Sequence, residues 1–328
     1  MKGRLIAIGT IIILITIPIL IGLPLLSQSN NRLSLGTTTS VYDTGLLSYI
    51  LPDFEKRFDC TVDVIAAGSG QAINFGKSGD VDVLLVHSPE AELDFIEKGY
   101  GEYRRPVCYN RFVIVGPSSD PAGIHEAENA TDAFRRIYEN GTLGRIYFIS
   151  RGDGSGTHVK ELEIWSLIGL DSSAFSDRWY LKTGQGMGAV LDITQEKLGY
   201  TLSDEATFYT RRETGMIPNL MILYSGDAIL FNQYSIILVN HTKWPHVRHE
   251  LAVQFADWIT SPEIQQMIGN FTDNYGHKLF VPNANVVNDI HSLSLIKDYY
   301  YLKMQASEQC AASWKSHLGH DQIILWGN

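Results

Sequence analysis

From residue 33 onward, short apolar runs alternate with stretches in which apolar positions recur every three or four residues. Leu33 to Leu35 reads as a strand. Leu46, Leu47, Ile50, Leu51, Phe54 and Phe58 fall on one helical face, with Asp43 as the expected cap and Pro52 as an expected kink. Thr61 to Ala67 predicts a strand, and the unbroken apolar run Val81 to Val86 predicts one covered on both faces. Ser88-Pro89-Glu90 then has the order of an N-cap, a proline in the first turn and an acid near the helix N-terminus. This β-α-β-α order implies an α/β protein whose ligand sits at the carboxyl ends of parallel strands.

The pattern continues with a strand at Phe112 to Val115, closed by Gly116-Pro117, after which a crossing into a second lobe is expected. That lobe is expected to hold a helix near Thr131 to Glu139, a strand at Ile146 to Ile149, a helix from about His158 to Ile168, and a helix opening near Met187. A return near Met221 to Leu223 leads to a strand at Tyr234 to Val239 and to amphipathic helices at Leu251 to Ile259 and Pro262 to Ile268. The resulting division is 33–116 plus 222–283 for the first lobe and 117–221 for the second, with 284–328 as an extension of no assigned role.

Residues 1–26 stand apart. Lys2 and Arg4 precede a 22-residue uncharged run, Leu5 to Leu26, long enough to span a bilayer or to act as an export signal. Either reading places the rest of the chain outside the cytoplasm, because the positive residues stay inside. The sequons at Asn129, Asn140, Asn240 and Asn270 are compatible with that location. Cys60, Cys108 and Cys310 lack metal-ligand spacing; in an oxidising compartment they allow one disulfide of undetermined pairing and one leftover thiol.

The composition, 45% hydrophobic and 19% charged over 328 residues, is that of a globular chain with a sizeable core. With 26 basic and 36 acidic residues the net charge is −10, which excludes a basic field for nucleic acid. It also means that an anionic ligand would have to be held by local donors.

Four loops offer such donors: Gly36-Thr37-Thr38-Thr39-Ser40, Gly68-Ser69-Gly70-Gln71, Arg151-Gly152-Asp153-Gly154-Ser155-Gly156-Thr157, and Gly184-Gln185-Gly186-Met187-Gly188. Each follows a predicted strand or opens a predicted helix, where backbone N–H groups are free and glycine permits close approach. Any one of them also reads as ordinary helix capping. Divided between two lobes, they suit a tetrahedral oxyanion, and Arg151 adds a planar fork.

Other motifs fail on spacing. Gly70 and Gly76-Lys77-Ser78 are one residue too far apart for a phosphate loop and read as a turn, and the Gly184 loop lacks a dinucleotide fingerprint. Asp153, Ser155 and His158 are too crowded for a hydrolase triad, and no nucleophile elbow is present. His246, His249 and Glu250 do not match a zinc-protease helix and read as a solvated helix entry. Asp80 and Asp82 read as capping or pairing groups, and Arg104-Arg105 as an exposed pair.

Together the stretches Leu35 to Ser40, Ala67 to Ala72, Asp82 to Glu92, Asn110 to Pro117, Ser150 to His158 and Gly184 to Gly188 resemble the tungstate-binding proteins of ABC importers. The resemblance runs from about Leu33 to Asn283. It implies a two-lobed type II periplasmic-binding-protein fold, each lobe a mostly parallel sheet flanked by helices, with the ligand in the interlobe cleft. It further implies an extracytoplasmic, monomeric binding protein without catalysis, cofactor or metal, which serves a permease and its ATPase. By position, Thr38, Thr39, Ser69, Arg151, Ser155, Gly156 and Thr157 would hold the anion. Ser88 joins them from a separate argument. The phosphate-binding branch of the superfamily resembles itself in placing an aspartate after the strand equivalent to Val81–Val86, to accept the proton that phosphate carries. Here His87-Ser88 stand there. Tungstate, fully deprotonated, needs donors alone. Phosphate is the second candidate ligand, since Arg151 to Thr157 also resembles that branch and a neutral His87 could accept a proton; molybdate is not separable from tungstate. An exported phosphatase or esterase is the alternative from another class.

Overall fold

A computed structural model describes residues 31–284. The N-terminal apolar segment, Cys310 and nearly all of the C-terminal extension lie outside the described residues.

The first half builds three parallel strands and their helices: β1 (Arg32–Thr38), α1 (Thr39–Asp43), α2 (Leu46–Phe58), β2 (Thr61–Ala67), α3 (Ser69–Ser78), β3 (Val83–Val86) and α4 (Pro89–Glu97). Strand β1 pairs in parallel with both β2 and β3. Their carboxyl ends therefore lie at one edge. Strand β3 is apolar throughout because its faces are both covered: Val83 and Leu85 enter one core cluster, Leu84 and Val86 another. Helix α2 buries Leu46, Leu47, Ile50, Leu51 and Phe54, the stripe that the spacing predicts. Its N-cap is Gly45, at φ 81°, and not Asp43, which closes the short α1. A left-handed residue is needed to turn the chain between two abutting helices, and glycine adopts that conformation without strain.

The long strand β4 (Gly101–Pro117) leads to α5 (Ala130–Thr142), β5 (Phe148–Ser150), α6 (Gly156–Leu167), β6 (Tyr180–Lys182), α7 (Met187–Lys197), β7 (Thr201–Asp204), α8 (Glu205–Glu213) and β8 (Leu220–Tyr224). The chain returns through β9 (Phe231–Val239), α9 (His249–Ile259), α10 (Pro262–Asn270) and β10 (Val281–Pro282). Strand β4 pairs antiparallel with β9 as far as Arg111 and with β7 from Phe112. Helices α5 to α8 pack on apolar clusters of their own, with Phe112 and Ile114 of β4 entering one and Val113 and Val115 the other.

Three further readings of the sequence change. The segment around Gly76-Lys77-Ser78 is the last turn of α3, not a separate turn. The strand at Phe112 extends back to Gly101, because its first half is the edge against which β9 returns. Arg104 is not an exposed residue: it bonds the fully buried Glu92 at 2.6 Å, while Arg105 pairs with Asp257 at the surface. Strands β6 and β7 and helix α8 are additional to the predicted elements; the first two are short, and α8 has a mixed sequence without a clear apolar stripe. Among the described residues no disulfide forms: Cys60 and Cys108 are not bonded to each other, and Cys108 is buried.

Candidate functional site

At the carboxyl edge of β1, β2 and β3, Thr37 Oγ1 donates to Leu85 O at 2.9 Å and fixes β1 against β3. Thr38 is the N-cap of α1: its hydroxyl accepts from Val41 N and lies 3.0 Å from Ser40 Oγ. Thr39 follows with a buried hydroxyl that has no hydrogen-bond partner among the described residues. Strand β2 ends at Ala67, and Gly68, the N-cap of α3, offers no side-chain cap; the next residue, Ser69, is buried and its Oγ also lacks a partner among the described residues. After β3 come His87 and Ser88. Ser88 occupies the N-cap position of α4 without a capping bond from its hydroxyl; instead its N–H donates to Glu92 Oε1 at 2.6 Å.

From the second lobe, β5 ends at Ser150 and delivers Arg151, only 3% exposed. Gly152 and Gly154, at φ 62° and 70°, bend the following loop back on itself. Arg151 Nη2 and Nε donate to Asp153 Oδ2 at 2.6 and 3.2 Å, and Asp153 Oδ1 accepts from Ser155 N at 3.1 Å. Ser155 caps α6 by accepting from His158 N, and Thr157, one residue into the helix, has a buried hydroxyl without a partner. The Gly184 loop is tied to Arg151 through Gly184 N to Arg151 O at 2.7 Å.

Glycine governs how closely these loops meet. A Cβ on Gly68 would lie 3.3 Å from Ser155 Cβ, one on Gly70 3.1 Å from Gly154 O, and one on Gly156 2.8 Å from His87 O. The loops after β2, β3 and β5 are thus in direct contact, and the unpartnered hydroxyls of Ser69 and Thr157 belong to loops that touch. Other unpartnered hydroxyls, such as Thr210 and Ser261, lie elsewhere.

The electrostatics centre on Arg151. Burial opposes charge on Asp153, but the Arg151 charge and the hydrogen bonds from Ser155 and Arg151 outweigh it and hold this carboxyl below its usual pKa. Asp204 and Asp43 are pushed up, chiefly by burial, with Arg151 acting in the opposite direction on both. His87 falls to about 4, because burial disfavours its charge by more than the hydrogen bond to Asn232 favours it, and the nearby Arg151 adds a smaller push in the same direction as burial. Asn232 Nδ2 donates to Asn110 Oδ1 at 2.7 Å and to Tyr234 OH at 3.1 Å, so its Oδ1 accepts from His87 Nδ1 at 2.7 Å. The chain continues from Asn110 Nδ2 to Asp204 Oδ1 at 3.5 Å.

His87 is therefore expected to remain neutral, with the proton on Nδ1, from about pH 8 down to about pH 5. Nitrogen-detected NMR of the imidazole checks this; a midpoint near 6.5 would contradict it. The same shift makes the fold lose stability as pH falls below the ordinary histidine value of 6.5 toward 4, since only the unfolded ring takes up the proton there.

All eight predicted site residues lie on these loops. Asn110, Asn232 and Asp204 join them through β4, β9 and β7, and no local pattern marks them in the sequence. The residues of the hydrolase alternative are bonded as a capped loop, with His158 Nδ1 accepting from Gly154 N at 2.9 Å and the Ser155 hydroxyl accepting from the His158 backbone.

Residues 27–263 match the PBP superfamily domain. The tungstate-binding protein TupA of Peptoclostridium acidaminophilum is 40% identical over 261 residues, covering 79% of this chain and 88% of that protein. Among solved structures, the tungstate-binding protein TupA of Desulfovibrio alaskensis is similar at a TM-score of 0.65 and 40% identity, covering 78% of this chain and all of that one. The tungstate ABC transporter structure from Geobacter sulfurreducens gives 0.64 and 45%, covering 73% and 98%.

Proposed function

The chain belongs to the periplasmic-binding-protein (PBP) superfamily and, within it, to the tungstate-binding proteins; from that premise we propose that it captures tungstate outside the cytoplasm and delivers it to an ABC importer. The observation that carries the reading is the set of buried, unpartnered hydroxyls of Thr39, Ser69 and Thr157 on loops that converge with Arg151. A buried polar group without a partner costs stability, and three of them on converging loops are best explained by a ligand that they bond. Free N–H groups at the starts of α3 and α6 add donors. Binding is then hydrogen bonding to a dianion by Thr38, Thr39, Ser69, Ser88, Ser155, Gly156, Thr157 and Arg151, with no cofactor or chemical step. Closure of the lobes on the anion presents one shape to a permease, and the apolar segment 5–26, if retained, keeps a monomeric protein beside it.

Isosteric removal of the hydroxyls tests this. Thr39→Val, Ser69→Ala and Thr157→Val are each expected to weaken tungstate binding by roughly tenfold or more, given ~1.5–3 kcal/mol for a hydrogen bond to a charged group. The anion-free protein should be no less stable, because none of the three hydroxyls has a hydrogen-bond partner among the described residues. Calorimetry with tungstate, molybdate, sulfate and phosphate, alongside thermal melting, reads both effects. Unchanged tungstate affinity in all three variants, or displacement of tungstate by an equal concentration of phosphate, would overturn the reading.

A further inference from the structure

We propose that Glu102, His241 and His249 form a binding site for one divalent transition-metal ion of the zinc type, separate from the anion loops. Glu102 is the second residue of β4, His241 follows β9, and His249 opens α9. One ligand atom from each lies within 4.8 Å of the others. His241 Nδ1 hydrogen-bonds Glu102 Oε1, and the His241 N–H donates to the same oxygen at 3.0 Å. His249 Nδ1 faces the other oxygen, Oε2, at 3.6 Å, too far for a hydrogen bond, and this buried nitrogen has no hydrogen-bond partner among the described residues. The two imidazole centroids are 3.9 Å apart. Two rings and one carboxylate therefore converge from three segments, with one nitrogen aimed inward and unpartnered.

The loop that carries the histidines is held at both ends. Asn240 N donates to Tyr100 O at 2.8 Å, His246 Nε2 pairs with Gly79 O at 2.9 Å, and Arg248 N donates to Asp82 Oδ1 at 2.7 Å. His246 is thereby directed away from the cluster, and the reading of His246, His249 and Glu250 as a solvated helix entry gives way, for His249, to a cluster built across elements. Zinc–ligand bonds of ~2.0–2.2 Å in a tetrahedron set the ligand atoms about 3.3 Å apart, so small side-chain rotations from the observed spacing suffice. Two nitrogens and one oxygen suit zinc and its neighbours, whereas calcium and magnesium require oxygen sets. The half-exposed His241 leaves a fourth position open to water. Strand β9 runs antiparallel to β3, with Val83 opposite Leu238 and Val86 opposite Ser235, so His241 lies at the sheet edge away from His87 and Ser88.

The test uses the full chain in detergent, stripped with a chelator and titrated with Zn²⁺ against a chromophoric zinc chelator in tungstate-free buffer. The expected result is one more zinc equivalent bound by wild type than by the double variant His241→Ala/His249→Ala. Glu102→Gln, which preserves shape and a hydrogen-bond acceptor, should weaken that equivalent at least tenfold. Equal zinc stoichiometry and affinity in wild type and the double variant would overturn the proposal. Should the double variant fail to fold, equal zinc affinity in wild type and Glu102→Gln overturns it in the same way.

Discussion

Gly156→Ala is expected to raise the tungstate dissociation constant about five- to 150-fold, the range that corresponds to the ~1–3 kcal/mol cost of overpacking a close contact. The added methyl would stand 2.8 Å from His87 O and 2.8 Å from His87 Cε1. Neither can yield cheaply: the oxygen is backbone at the end of β3, and the ring is fixed by its bond to Asn232 and by packing on Tyr234, 4.7 Å between centroids. The contact joins a loop of one lobe to a loop of the other, so the strain falls on closure and not on either core. The melting temperature of the anion-free protein should change little, since that form can relieve the clash by opening. Gly186→Ala serves as control, because nothing lies within 4 Å of a Cβ there. Calorimetry on both variants decides the matter; equal affinity for wild type and Gly156→Ala would mean that the bound form does not need these loops in contact.

Arg151→Lys is expected to weaken tungstate binding roughly ten- to 150-fold, corresponding to the ~1.5–3 kcal/mol of a charged hydrogen bond. The guanidinium uses Nη2 and Nε on a single oxygen of Asp153. That pair orients the planar group, and a fork of five donors has more to offer an anion than the two bonds so occupied. An ammonium has no fixed plane and cannot serve Asp153 and the anion in the same geometry. The competing view is that Arg151 only pairs with Asp153 and offsets the charges of the buried Asp204 and of Asp43. Asp153→Asn separates the two. It keeps an oxygen to accept from Ser155 N but removes the counter-charge, and an anion-binding Arg151 should then hold tungstate more tightly. If Arg151→Lys lowers the melting temperature while the dissociation constants of both variants stay at the wild-type value, Arg151 is a structural ion-pair residue.

Periodicity and loop chemistry are local properties, and they determined much of this protein. The apolar run at β3 announces a strand covered on both faces, the stripe from Leu46 to Phe54 announces α2, and Ser-Pro-Glu announces the start of α4. The glycine and hydroxyl loops were legible for the same reason, since a helix start needs donors and caps within a few residues of one another. Short-range patterns could not reveal β6 or β7, three and four residues long, because edge pairing and burial by distant helices decide whether such segments are strands. Nor could they distinguish Thr38, whose hydroxyl caps α1, from Thr39, whose hydroxyl has no protein partner. Which of two adjacent hydroxyls faces the site depends on where the helix begins. The protonation of His87 was likewise open, and it is decided by Asn232, 145 residues away, and by burial against Tyr234 and Phe112. The cluster of Glu102, His241 and His249 left no pattern in the chain, because its members become neighbours only when β9 returns along β4. Sequence thus specified what each loop can donate, and tertiary structure decided which donors are left without partners, since satisfaction of a polar group depends on every segment that packs against it.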